Sequence, residues 1–153
     1  MTQKLQGCAL IVLVENDSSI REMLQLAIEL EGYKVRTASS GDEAFSLLKE
    51  LKVPCLILVD PVMPMMDGYK FIELASQTHT IASIPIVIVS TSPNESDVKV
   101  VSESGKIKGL VKEPISLEVL MKIVHEHCGP SPARQETKTP VKEIRKESGL
   151  KAR

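Results

Sequence analysis

The sequence predicts an α/β fold, a doubly wound sheet of five parallel strands that alternate with helices. Short runs of branched apolar residues recur five times between residues 8 and 128, and apolar residues with helical spacing follow each run. The run at residues 55–59, Cys-Leu-Ile-Leu-Val, is apolar throughout, which is typical of a strand buried on both faces of a parallel sheet. Hydrophobic residues make up 42% of the 153-residue chain, enough for one domain with a sizeable core.

The first two strands are predicted at residues 8–14 (β1) and 33–38 (β2). A capping box at residues 19–22 predicts the start of helix α1, and Gly32 is a natural stop for it. A second capping box, at residues 40–43, predicts the start of helix α2. Helical spacing predicts that α1 buries one face, made of Ile20, Met23, Leu24, Ala27, Ile28 and Leu30.

The remaining strands are predicted at residues 55–59 (β3), 84–89 (β4) and 107–111 (β5). Helix α3 follows β3, and helix α4 is predicted at about residues 93–104. Ser116 is predicted to cap the last helix, α5. The apolar residues with helical spacing on α5 are Leu117, Leu120, Met121 and Val124.

The composition argues against several classes of protein. Aromatic residues make up 3% of the chain and Trp is absent, which argues against binding nucleic acid by base stacking. No apolar run approaches the roughly 18 residues of a membrane span, and no apolar leader precedes Cys8. Cys8, Cys55 and Cys128 are far apart, so we expect buried or incidental thiols in a reducing compartment. We therefore expect a cytoplasmic protein without a membrane partner.

The charge distribution predicts one domain over residues 1–128 and a basic tail over residues 129–153. A Gly-Pro-Ser-Pro segment at residues 129–132 breaks the helical pattern. The tail carries seven Lys or Arg residues and three Glu, a net charge of +4, which leaves −5 for residues 1–128. A flexible segment is the simplest interpretation. A nucleic-acid contact and a linker to a further domain stay open as alternatives.

The predicted topology brings polar residues together at one edge of the sheet. Asp60 follows β3 directly, and a lone carboxylate there costs free energy unless it has a partner. Its structural interpretation is a capping or turn residue; its functional interpretation is a site, because ligands of open α/β sheets bind at this edge. The residues that follow the other strands are Glu15, Asn16 and Asp17 after β1, Ser90 after β4 and Lys112 after β5.

These residues carry a resemblance to a known family. The motif Asp60-x-x-Met63-Pro64-x-Met66-Asp67-Gly68 resembles that of the receiver domain of two-component response regulators, and the resemblance covers about residues 8–128. The order of acidic pair, aspartate, hydroxyl and lysine at successive strand ends is similar as well. The resemblance implies a flavodoxin-like sheet in the strand order 2-1-3-4-5, with a site at the switch point between β1 and β3.

The resemblance also implies a role for each site residue. Asp60 would accept a phosphoryl group from a histidine kinase or phosphotransfer protein. Ser90 would hydrogen-bond a phosphoryl oxygen, and Lys112 would pair with its charge. Phosphorylation would then switch the face made by α4, β5 and α5 for contact with a downstream protein. Mg²⁺ would be the cofactor, and its ligands would be Glu15, Asn16, Asp60 and the backbone carbonyl of Val62.

Three features depart from the family pattern. Asn16 stands where the family usually has a second acid, so Mg²⁺ binding should be weaker. Glu113 directly precedes Pro114, where the family has its lysine, and Lys112 lies one residue earlier. We assign the lysine role to Lys112, because a glutamate would repel a phosphoryl group. β5 also lacks the aromatic residue that often couples to the hydroxyl.

We interpret the sequence as a single-domain response regulator, a signalling protein rather than an enzyme, whose output is a protein contact. The first alternative is a pseudo-receiver, a phosphorylation-independent interaction module, which Asn16 and the displaced Lys112 favour. The second is a phosphatase-type hydrolase with an aspartyl nucleophile. Such a hydrolase needs a second acid two residues after the nucleophile, and this chain has Val62 there.

Overall fold

The computed structural model describes residues 10–51, 55–61, 68–90, 107–112 and 114–130. Within them lie the strands β1 (Leu10–Val14), β2 (Lys34–Ala38), β3 (Cys55–Val59), β4 (Ile86–Ser90) and β5 (Ile107–Lys112). The helices in the same residues are α1 (Ser18–Leu30), α2 (Gly41–Glu50), α3 (Gly68–Gln77) and α5 (Leu117–Cys128). The predicted α4 lies outside the described residues.

The five strands form one sheet in the order β2-β1-β3-β4-β5, and every neighbouring pair is parallel. The predicted fold class and strand order are therefore confirmed. Val14 stands opposite Ala38 of β2 and opposite Val59 of β3, so these three strands end at the same level. The edge strands carry exposed cations, which are Lys34 and Arg36 on β2 and Lys108 and Lys112 on β5.

The core lies on both faces of the central strands. Successive residues of β1, β3 and β4 are buried, which requires cover on both sides of the sheet, as the apolar run of β3 predicts. Helix α2 packs against α3, and helix α5 packs against β3 and β5. Phe71 of α3 is among the largest fully buried side chains. The Cys128 side chain is buried, as predicted.

Helix α1 begins earlier than the capping box predicts. Asp17 is its N-cap, and the Asp17 carboxylate accepts a hydrogen bond from the Ile20 N–H at 3.0 Å. Ser19 lies inside the helix, because Asp17 already has the extended backbone that an N-cap requires. The predicted stop is confirmed, since the helix ends at Leu30 and Gly32 follows with φ 92°.

The predicted buried face of α1 is too wide. Leu24 and Ile28 are fully buried, but Met23 is 46% exposed and Leu30 is 73% exposed. Leu117, predicted on the apolar face of α5, is 42% exposed. The side chains that reach the sheet form a narrow stripe of residues four apart, and apolar residues outside this stripe stay in solvent.

The other boundaries shift by one or two residues. β4 begins after Pro85 rather than at residue 84, because proline has no N–H for the ladder; its carbonyl accepts the Ile57 N–H at 3.0 Å. β5 extends to Lys112, one residue beyond the prediction. The caps at Ser40 and Ser116 are confirmed, since their hydroxyls accept the N–H groups of Glu43 and Val119.

Candidate functional site

The candidate site lies where the chain leaves β1 and β3. From β1 the chain continues to β2, towards one edge of the sheet. From β3 it continues to β4, towards the opposite edge. The loops after β1 and β3 therefore diverge and leave a crevice between them. The first residue after each strand is acidic: Glu15 after β1 and Asp60 after β3.

Backbone hydrogen bonds hold both acids at the end of the sheet. The Asp60 N–H donates to the Val14 carbonyl at 3.0 Å, and the Glu15 N–H donates to the Ala38 carbonyl at 3.0 Å. These bonds continue the parallel ladders one step beyond the strands. The positions of Glu15 and Asp60 are thereby set by the rigid sheet rather than by loops.

The side chains of Glu15 and Asp60 are hydrogen-bonded to each other. Glu15 is 2% exposed and Asp60 is 5% exposed, so both carboxyl groups are almost fully withdrawn from water. The pKa of Glu15 is raised to about 7, mainly by burial and in part by the neighbouring Asp60 charge, while the hydrogen bond from the Asp17 N–H lowers it. That N–H donates to Glu15 Oε1 at 3.0 Å.

Asn16 and Asp17 occupy the loop after this acid. Asn16 is exposed at the start of the loop. The Asp17 carboxylate accepts the Ile20 N–H as the cap of α1. The Asp17 side chain is thus used in the helix cap. Asn16 is then the residue next to Glu15 whose side-chain oxygen could bind a cation.

Arg21 is a residue whose role the sequence did not indicate. Its Nη1 donates to the Glu15 carbonyl at 3.0 Å and to the Asn16 carbonyl at 3.4 Å. The guanidinium group therefore holds the backbone of the loop that carries the acid and the amide. The only signal in the sequence was a basic residue one turn into the helix that follows an acidic loop. This pattern does not specify which backbone carbonyls the residue contacts.

Ser90 and Lys112 are the last residues of β4 and β5, and they stand opposite each other in the parallel ladder. Ser90 is fully buried, whereas Lys112 is exposed. The structure thus brings Glu15, Asp60, Ser90 and Lys112 to the same edge of the sheet. Val62 and Glu113 lie outside the described residues.

Gly68 packs against the backbone that directly follows β3. Its N–H donates to the Pro61 carbonyl at 2.9 Å. A Cβ atom on Gly68 would lie 2.3 Å from Pro61 Cα and 2.6 Å from the Asp60 carbonyl oxygen. Only glycine fits, so the start of α3 packs directly on the backbone that carries Asp60.

The donors near Asp60 suit a hard divalent cation. In the described part of the chain, no three His, Cys, Asp or Glu side chains form a cluster, so the available carboxylates are those of Glu15 and Asp60. Two neighbouring buried carboxyl groups repel each other when both are ionised, so a cation that replaces the proton between them is favourable. Oxygen donors of this kind are those that Mg²⁺ prefers.

Comparison with known proteins agrees with this arrangement. The family model of the response regulator receiver domain matches residues 11–125. The chain belongs to this family. Receiver domains are signalling modules of two-component systems; they typically bind Mg²⁺ at acidic residues, and they interact with histidine kinases or phosphotransfer proteins and with downstream targets.

Curated relatives share this domain at moderate identity. The transcriptional regulatory protein AfsQ1 of Streptomyces coelicolor is 34% identical over 72% of this chain. The chain spans 47% of AfsQ1 and 45% of the regulatory protein SrrA of Staphylococcus aureus, about half of each. An uncharacterized 14.6 kDa protein of Leptolyngbya boryana is 31% identical, and the match covers 77% of this chain and 88% of that protein.

Solved receiver structures share the fold. A response regulator receiver protein from Pseudomonas putida superimposes with a TM-score of 0.71 at 23% identity, covering 76% of this chain and 95% of that one. The chemotaxis protein CheY4 of Vibrio cholerae superimposes with a TM-score of 0.69 at 24% identity, and the match covers 77% of the present chain and 97% of CheY4. In the described residues, no helix is long and apolar enough to span a membrane.

Proposed function

We propose that this chain is a response regulator receiver in which Asp60 accepts a phosphoryl group from a histidine kinase or phosphotransfer protein. The receiver domain spans residues 1–128, and residues 129–153 form a basic tail. The observation that carries the proposal is the buried, hydrogen-bonded pair of Glu15 and Asp60 at the switch point of the sheet. A residue that only capped a strand would not need a second buried acid against it.

We assign the role of nucleophile to the Asp60 carboxylate. Asp60 is buried directly after β3, and its negative charge contributes to the raised pKa of Glu15. An Asp60 oxygen attacks the phosphorus of a phosphohistidine, forming the O–P bond as the P–N bond breaks. The leaving imidazole nitrogen takes up a proton, and the product is an acyl phosphate on Asp60.

The other site residues act on the phosphoryl oxygens. The Ser90 hydroxyl donates a hydrogen bond, and the Lys112 ammonium supplies a positive charge. Mg²⁺, when bound, neutralises the charge of the transferred group, and Glu15, Asn16, Asp60 and the backbone carbonyl of Val62 would hold it. Ser90 ends the strand beside β3 and Lys112 is opposite it, which supports these assignments.

The output is a protein contact made in the cytoplasm. An acyl phosphate adds negative charge beside the end of β4, which biases the position of the Ser90 loop. The face made by α4, β5 and α5 then changes its affinity for a downstream protein.

A pseudo-receiver is the second candidate, and two observations favour it. Asn16 supplies an amide rather than a carboxylate, and Lys112 is exposed. A receiver with those features would bind partners through the same fold without phosphorylation.

Intact mass spectrometry after incubation with acetyl phosphate and Mg²⁺ separates the two. We expect an adduct of about 80 Da, one phosphoryl group, on the wild type and none on Asp60→Ala. The Asn16→Asp variant should accumulate the adduct at lower Mg²⁺ concentration. An adduct on Asp60→Ala would show that another residue is the acceptor. No adduct on either the wild type or Asn16→Asp would replace the phosphorylation proposal with the pseudo-receiver.

A further inference from the structure

An open groove of about 870 Å³ runs along α5 beside the C-terminal end of α1. Leu117 and Met121 form its apolar part, and Leu117 is 42% exposed. Glu31, Glu118 and Glu126 line it, and Pro130 lies at its end. We refer to this feature as the α5 groove.

The α5 groove is acidic. Among its described lining residues, three are carboxylates and Lys122 is the only Lys or Arg. His125 Nε2 lies 3.8 Å from Glu31 Oε2, so this histidine faces one of the same acids. A groove with apolar side chains between carboxylates favours a basic segment that carries a few apolar residues.

Hydrogen bonds fix the backbone of Gly129, next to Pro130 of the groove. The Gly129 N–H donates to the His125 carbonyl at 3.0 Å, and the Gly129 carbonyl accepts the Tyr33 hydroxyl at 2.7 Å. Its φ of 81° ends α5 with a turn that favours glycine. Pro130 lines the groove, so residue 131 is bonded directly to a groove residue.

Residues 131–153 have the matching composition, with a net charge of +4. Val141 and Ile144 are three apart, the spacing of one helix face, and Lys142 and Arg145 lie beside them. The ten residues 131–140 can span about 33 Å when extended. The 12 residues of α5 rise about 18 Å. Val141 can therefore reach any part of the groove.

We propose that residues 131–153 dock in the α5 groove of the same chain. Val141 and Ile144 contact Leu117 and Met121, while the tail cations pair with the groove carboxylates. Tethering raises the local concentration of the tail to about the millimolar range, so even weak intrinsic affinity gives a docked state.

Docking would also regulate output. α5 belongs to the face proposed to bind a downstream protein, so a docked tail would compete with that protein. This consequence rests on the proposed function, whereas the docking itself does not.

Methyl NMR on the full chain tests the docking. We expect nuclear Overhauser effects between the Met121 methyl and the Val141 or Ile144 methyls at low salt. Reversing two tail charges, with Lys142→Glu and Arg145→Glu, should reduce these effects at least fivefold. Adding Glu118→Lys and Glu126→Lys should restore them. The control pair Lys151→Glu and Arg153→Glu makes the same charge change and should leave most of the signal.

Four results would overturn the proposal. The wild type could lack the Met121 contacts, the contacts could survive the reversal of Lys142 and Arg145, or they could form only between separately labelled chains, which would assign the groove to a second copy. Tail resonances that shift with duplex DNA while Met121 is unchanged would assign the tail to nucleic acid instead. No arm uses Mg²⁺ or acetyl phosphate, so failure of the phosphorylation proposal would not affect the result.

Discussion

Glu15 and Asp60 form a hydrogen bond between two carboxyl groups in the interior of the protein. Such a bond needs a proton on one partner, so the pair holds one near neutral pH. Burial is the main cause of the raised pKa of Glu15, and the Asp60 charge adds to it. A cation that enters the site must release this proton.

The stability of the protein should depend on pH through Glu15. Its pKa is about 7 in the folded chain, above the ordinary value of 4.5. Between these pH values the folded state keeps a proton that the unfolded state has lost, so stability falls as pH rises. The full loss is roughly 3 kcal/mol. Urea unfolding from pH 4.5 to 8 without Mg²⁺ should show this fall in the wild type and a much smaller one in Glu15→Gln. Equal slopes would contradict the prediction.

Mg²⁺ affinity should increase when Asn16 is replaced by Asp. The substitution adds a carboxylate next to Glu15 in a place that α1 capping does not use, and each added anionic oxygen ligand favours a hard cation. We expect about a tenfold lower dissociation constant, equivalent to about 1.4 kcal/mol, by calorimetric titration. Asp17→Asn is the matched control: it removes a nearby charge but keeps a good cap, and should change the affinity little. A larger effect at Asp17 than at Asn16 would assign the ligand role to Asp17.

Arg21 should stiffen the loop after β1. Its hydrogen bonds to the Glu15 and Asn16 carbonyls are lost in Arg21→Met, which keeps most of the apolar stem. Opening of the loop should then expose the Asp17 N–H that binds Glu15 Oε1, and its hydrogen exchange should accelerate about tenfold, a cost of about 1.4 kcal/mol. Arg36→Met, at an exposed position of β2, serves as the control. Unchanged Asp17 exchange in Arg21→Met would exclude this role.

Gly68→Ala should destabilise the domain. The new Cβ would approach Pro61 Cα to 2.3 Å, and neither backbone can move without displacing Asp60. We expect a loss of about 2–3 kcal/mol or more in unfolding free energy. Gly109→Ala is the control, because its Cβ would meet side chains no closer than 3.6 Å. Similar losses in the two variants would show that the close packing at Gly68 is not the cause.

The fold was predictable because local signals and the overall pattern agree. The apolar run of β3 and the caps at Ser40 and Ser116 each specify an element without tertiary information. The start of α1 was not predictable, because Asp17 and Ser19 are both good caps and the loop after β1 decides between them. The exposure of Met23 and Leu30 depends on how much of α1 the sheet covers, which helical spacing does not contain.

The site was predictable as a set of strand ends but not as a set of contacts. Parallel topology suffices to bring Glu15, Asp60, Ser90 and Lys112 to one edge. The proton shared by Glu15 and Asp60 follows from burial. The hydrogen bonds from Arg21 to the loop carbonyls follow from the path of the backbone. Neither leaves a pattern in the sequence.

The cations on β2 and β5 bear on how the molecule behaves when crowded. Both edges of an open sheet present backbone groups to which a strand of another molecule can add. Exposed cations lie at both edges: Lys34 and Arg36 at one, and Lys108 and Lys112 at the other. An edge strand of a second copy would have to desolvate these cations and bring its own cations close to them. The domain can therefore keep an open sheet at high concentration in the cell with little tendency to polymerise through its edges.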